Sequence, residues 1–151
     1  MPPDQPNTRL VLDTNVVASA MLWGGAPLAL LQAARSKRVQ LYVSLPLLEE
    51  LTDILARAKF ARKVAASGLT VDQLVDGYAA LTSMVRPAPV APTIHDDPDD
   101  DLVLATAKSA QARFIVSGDR HLLRLANFED IEIVRVSAAV VWLSSSSELG
   151  V

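Results

Sequence analysis

Asp13 closes the apolar run LVLD, and Asp119 closes IVSGD. The adjacent pair Glu49 and Glu50 lies in SLPLLEEL, and HDDPDDDL, residues 95–102, carries five aspartates. The chain has only two histidines and no cysteine, so a site built here would use carboxylate oxygens. Carboxylates gathered in one crevice repel one another and raise each other's pKa values, a cost that a divalent cation removes. Ligation by oxygen alone suits Mg2+ or Mn2+ and not zinc. Asn15 and Ser117 sit close to the two strand-end acids. Their side chains can hydrogen-bond a carboxylate or a metal-bound water and so hold ligands in place.

Positioning these acids requires regular elements, and hydrophobic periodicity supplies them. RLVLD (9–13) reads as a buried strand. VVASAML (16–22) reads as a helix closed by Gly24 and Gly25, and Pro27 suits the first turn of a second helix through LALLQAARSK. VQLYVS (39–44) is the next strand. SLPLLEELTDILARAKF is a helix with Ser44 at its N-cap and apolar residues at 47, 48, 51, 54, 55 and 58. After Gly68, TVDQLVDGYAALTSMV (70–85) is a helix capped by Thr70. RPAPVAPTI (86–94) holds room for one short strand, and the acidic run then opens a helix through DDDLVLATAKSAQ. RFIVSGD (113–119) is a strand, HLLRLANF a short helix, IEIVRV (131–136) a strand and SAAVVWL a last helix. Strands alternating with helices predict a three-layer α/β/α domain around one parallel sheet of about five strands. Residues 1–8 and 144–151 read as loose polar tails around this single domain.

In such sheets the working crevice lies at the carboxyl ends of the strands, where Asp13 and Asp119 fall. Either acid would also serve as the N-cap of the helix that follows, but two at equivalent strand ends favour a site. An α-helix turns about 100° per residue, which sorts the remaining acids. In the helix after the second strand, Glu50 lies roughly 90–100° from the centre of the apolar stripe and Glu49 about 160°. Glu50 can therefore reach the crevice, while Glu49 faces solvent. In the acidic run, Pro98 fits the first helical position with Asp97 as N-cap. Leu102, Val103, Thr106, Ala107 and Ala110 then define the buried stripe. Asp100 falls about 90° from its centre and Asp101 about 170°. Asp99 and Asp101 read as first-turn acids that complement the helix dipole. Asp100 is the aspartate of the run placed to work, with Asp97 and Asp101 as its alternatives.

Bulk composition bounds the function. At 151 residues, half of them hydrophobic, the chain can bury one sizeable core. The absence of cysteine excludes a disulfide framework and agrees with a cytoplasmic protein. MPPDQPNTRLVLD lacks the basic start of a signal peptide. No apolar run reaches the roughly 18 residues of a membrane span, so no membrane role is expected. A net charge of −3 is unlike a protein that holds nucleic acid by charge alone. Arg35, Lys37 and Arg38, then Arg57, Lys59, Arg62 and Lys63, form two small basic clusters. Such clusters contact nucleic-acid backbone or simply complement helix C-termini. His121 reads as helix surface and His95 as loop.

Taken in order, LVLDTNVVASAML, SLPLLEEL, DPDDDLVLATA and FIVSGDRHLL resemble the PIN-domain family over about residues 9–143. Within it, they resemble the toxin components of bacterial toxin–antitoxin pairs. Each motif alone is weak, and the ordered set is specific. The resemblance implies a 5′-nuclease-like fold with strand order 3-2-1-4-5 and a metal-dependent endoribonuclease. Its four acids match Asp13 in D-T-N, Glu50, Asp100, and Asp119 after S-G. Its asparagine matches Asn15, and its helper hydroxyl matches Ser117, where threonine is commoner. These imply hydrolysis of RNA phosphodiesters at Mg2+ or Mn2+ held by Asp13, Asp100 and Asp119, with Glu50 on a second ion or a water. A separate antitoxin protein and a homodimer or higher oligomer are the implied partners. A phosphoryl-accepting domain fits poorly, because the first strand ends in Asp13-Thr14-Asn15 without a second nearby acid. The contrasting class is a PIN-like binding module that has no turnover.

Overall fold

β1 (Thr8–Leu12) is apolar on both faces from Leu10 onward, so it is stable only between other strands and beneath helices on both sides. The computed structural model, which describes residues 8–90 and 98–149, places it there. β1 pairs in parallel with β2 (Val39–Val43), Leu10 beside Leu41, and with β4 (Phe114–Val116), Leu12 beside Val116. β3 (Ser83–Met84) lies outside β2, and β6 (Ile131–Val134) lies beside β4. A two-residue strand, β5 (Asn127–Phe128), adds antiparallel to β6. The order is β3-β2-β1-β4-β6-β5. Its five parallel strands follow the expected 3-2-1-4-5 path, and β5 is an added edge. The chain reaches that edge through left-handed turns at Ala126 (φ 63°) and Glu129 (φ 55°).

α1 (Thr14–Leu22), α2 (Gly25–Arg35), α3 (Leu45–Leu55), α5 (Val71–Leu81), α6 (Pro98–Ala110), α7 (Arg120–Leu125) and α8 (Val136–Leu149) surround the sheet, with a short α4 (Ala61–Ala66) following a 3-10 turn at Ala58–Phe60. Among the described residues, no single helix is long and apolar enough to cross a membrane.

Several boundaries differ from the sequence expectation, each for a physical reason. The helix expected to run to 60 ends at Leu55, and Ala58, assigned to its stripe, is exposed in the 3-10 turn. The helix expected over 70–85 starts with a Thr70–Gln73 capping box but stops at Leu81. Thr82 is extended, Ser83 and Met84 pair with Tyr42 and Val43, and the Val85 N–H donates to the Val43 carbonyl at 2.9 Å. The third strand therefore precedes the proline-rich segment where it was sought, of which residues 91–94 lie outside the described region. Thr8 belongs to β1, and α8 continues through the serines to Leu149 where a tail was expected from 144. Extending a formed helix adds one hydrogen bond per residue fixed. His95, Asp96 and Asp97, including the expected N-cap, lie outside the described residues, while Pro98 does open α6.

Tyr78 of α5 is 3% exposed and lines a cavity of about 500 Å3 bordered by α1, α2 and α5. Burial pushes its phenol pKa well above the ordinary value, and its hydroxyl has no hydrogen-bond partner among the described residues. An unsatisfied buried hydroxyl costs about 1–3 kcal/mol. Tyr78→Phe is therefore expected to stabilise the fold by about 1 kcal/mol, read as a higher urea midpoint with unchanged slope. A lower midpoint would mean that the hydroxyl is satisfied in solution.

Candidate active site at the carboxyl edge of the sheet

The site begins where β1 and β4 end. Leu12 and Val116 are register partners, and the Asp13 N–H donates to the Val116 carbonyl at 2.9 Å. The ladder thus runs one residue past each strand and sets Asp13 beside Ser117. The Ser117 hydroxyl donates to Asp13 Oδ2 at 2.7 Å and accepts the Asp119 N–H at 2.9 Å. Ser117 is fully buried, so one hydroxyl ties the Asp13 carboxylate to the backbone of Asp119.

Asp13 is 5% exposed. Burial raises its pKa most; the Ser117 hydrogen bond opposes this, the charge of Asp119 adds to it, and the N–H groups of Thr14 and Asn15 oppose it. Asp13 occupies the N-cap position of α1 without making a capping hydrogen bond. Asp119 does cap: its Oδ1 accepts the N–H groups of His121 at 2.8 Å and Leu122 at 3.2 Å. Capping engages one oxygen, so a structural and a ligating role are compatible in this half-buried side chain.

α3 presents Glu50 half-buried and Glu49 exposed, as the helical count requires. Thr14, buried at the start of α1, donates through Oγ1 to Glu50 Oε1 at 2.5 Å. That bond brings Glu50 next to the residue following Asp13. α6 starts with Asp100 5% exposed and Asp101 half-buried. Because α6 leads into β4, its N-terminus lies at the same edge of the sheet as Asp13. The hydroxyls of Ser44 and Thr106, both fully buried, meet at 2.8 Å, and Thr106 donates to the Leu102 carbonyl at 2.8 Å. With the Thr106 proton committed, Ser44 is the donor between them. Ser44 holds the N-cap position of α3, but its side chain makes no capping bond. It links the helix of Glu50 to the helix of Asp100 instead. Asn15 is exposed, and its backbone N–H rather than its amide acts on Asp13.

Sequence reasoning missed Thr14, Thr106 and the side-chain role of Ser44. The available signal was a hydroxyl at a position the surrounding pattern marks as buried.

A family model for the PIN domain matches residues 9–121. The chain belongs to the PIN-domain family. PIN domains are generally nucleases and typically use divalent metal ions. No curated protein matches the sequence. Among solved structures, this PIN domain is similar to a chain of VapBC2 from Rickettsia felis, bound to a DNA fragment from their promoter. The TM-score is 0.56 at 12% identity, covering 85% of this chain and 98% of that one. At that identity the likeness establishes the fold.

The donor chemistry fits a hard divalent cation: Asp13, Glu50, Asp100 and Asp119 offer oxygens only, and the pKa of Asp13 is raised by burial and by Asp119, costs that a cation would remove. Among the described residues, no three acidic or histidine side chains form a metal-binding group. Thr14→Val, which removes this bond to Glu50, is expected to lower Mn2+ affinity about 10–100-fold with little change in melting temperature. Titration calorimetry reads the affinity, and unchanged binding would separate the Thr14 hydroxyl from the site.

Proposed function

We propose that this PIN domain is an endoribonuclease dependent on Mg2+ or Mn2+ and that it acts as the toxin of a toxin–antitoxin pair in the cytoplasm. The observation that carries the reading is the Asp13–Ser117–Asp119 unit at the adjoining ends of β1 and β4, in which one buried hydroxyl binds the Asp13 carboxylate and the backbone N–H of Asp119. Asp13, Asp100, Asp119 and Glu50 would hold the cation. Bound there, a divalent ion lowers the pKa of water, polarises a phosphoryl oxygen and stabilises the leaving oxygen.

The protein's own residues prepare that chemistry. Ser117 orients Asp13 and fixes the start of the turn that carries Asp119. Thr14 holds Glu50 by a hydrogen bond, and the Glu50 carboxylate would take a second ion or orient the attacking water. The buried setting of Asp13 strengthens its interaction with an arriving cation. The similarity to VapBC2 supports a separate antitoxin chain and an oligomeric assembly.

The contrasting reading is a PIN-like nucleic-acid- or protein-binding module without turnover. The deciding experiment incubates pure protein with structured and single-stranded RNAs in Mn2+, in Mg2+ and with chelator, beside Asp13→Asn. Metal-dependent cutting that the variant abolishes supports the nuclease. Metal binding without cutting points to a narrow RNA preference or a required partner. Neither cutting nor metal binding leaves the binding module.

A further inference from the structure

β6 ends one strand further along the same edge. Val116 and Val134 are register partners, and the Ser117 N–H donates to the Val134 carbonyl at 3.0 Å. Asp13, Ser117 and Arg135 therefore stand in a row, each one residue past its strand. Arg135 is exposed and has no ion pair or hydrogen bond from its side chain among the described residues. It does not figure among the groups acting on Asp13. A cleft of about 400 Å3 opens beside it, with Asn15, Ser19, Ser117, Gly118 and Ser137 on its walls. One wall is the buried Ser117 that holds the Asp13 carboxylate, and another carries the Arg135 guanidinium.

Several other cations are already engaged. Lys59 lies over Phe60 at 5.0 Å and Lys63 over Trp23 at 5.4 Å. Arg38 donates to the Leu143 carbonyl, Arg9 to the Ala110 carbonyl, and Lys108 pairs with Glu129. In an acidic chain of pI 5.3, an exposed arginine at the rim of the acidic site has a specific use. Guanidinium matches phosphate bidentately, and the amide and hydroxyls around it supply neutral donors. No aromatic side chain lines the cleft, so it offers no platform for stacked bases.

We infer that Arg135 and the cleft beside it bind the backbone phosphate next to the scissile one, so that single-stranded RNA is held by its phosphates without base readout. The inference deepens the nuclease reading and rests on it. Arg135 is a positioning residue that sets strand register against the acids.

The test measures fluorescence anisotropy of a labelled single-stranded RNA across a salt series, in the Asp13→Asn background to prevent turnover. Arg135→Ala is expected to weaken binding about tenfold and to flatten the slope of log K against log salt by about 0.7, one single-strand phosphate contact. Arg135→Lys keeps the slope with intermediate affinity. Lys108→Ala, at the opposite end of α6, changes neither. Equal affinity and slope in Arg135→Ala, or no RNA binding at all, overturns the inference. Cleavage by the chain with Asp13 intact separates the two readings. Cutting with KM unchanged by Arg135→Ala removes the phosphate subsite and keeps the nuclease. Arg135-dependent binding without cutting keeps the subsite and removes the nuclease.

Discussion

Asp13→Asn is expected to melt at a higher temperature than the wild-type protein at pH 7 while losing RNA cleavage. Asp13 is buried, and its pKa is raised first by that burial. A carboxyl whose pKa is higher folded than unfolded favours folding most when protonated in both states. That stability is fully present below the ordinary value of 3.8 and is lost as the pH rises through the folded value. At neutral pH the wild-type chain therefore carries a buried charge at a cost. Asparagine removes the charge and keeps an oxygen to accept the Ser117 hydroxyl. The gap between the two melting temperatures should close as the pH falls below 3.8. Cleavage should fall by more than the roughly 10–100-fold expected for removing a group that only orients a ligand. Thermal melts over a pH series, paired with cleavage rates, read both effects. A variant less stable than wild type at pH 7 would show that the Asp13 charge is well compensated.

Ser117→Ala should damage folding and chemistry together. Its hydroxyl donates to Asp13 and accepts from the Asp119 N–H, and alanine leaves both without this partner in a fully buried place. The expected cost is about 1–3 kcal/mol of stability, with metal affinity and cleavage reduced about 10–100-fold. The pKa of Asp13 should rise further, because the hydrogen bond that lowers it is gone. Ser117→Thr keeps the hydroxyl and should retain most of the activity. Denaturant melts and Mn2+ titration separate the two effects. Full metal affinity in Ser117→Ala would remove Ser117 from the site.

Much of this site could be read from local pattern. Asp13 and Asp119 follow short apolar runs, and burial on both faces is what a central parallel strand demands. Helical period put Glu50, and not Glu49, at the margin of an apolar stripe, and the same count separated Asp100 from Asp101. The structure has Glu49 exposed, Glu50 half-buried and Asp100 more buried than Asp101. Boundaries were less legible. β3 is two residues long and exposed, so no periodicity marks it, and only the facing edge of β2 makes it a strand.

The sequence alone determined which positions carry carboxylates, which faces are apolar and in what order strands and helices alternate, because these depend on side-chain type and a period of a few residues. The tertiary structure alone decided which partner each buried hydroxyl meets. Thr14 reaches Glu50 across 36 positions, Ser44 reaches Thr106 across 62, and Ser117 reaches Asp13 across 104. The alignment of Arg135 with the acids likewise depends on the register of β4 against β6. Such contacts follow from sheet pairing and helix packing between distant segments, and local periodicity carries no information about distance across the fold.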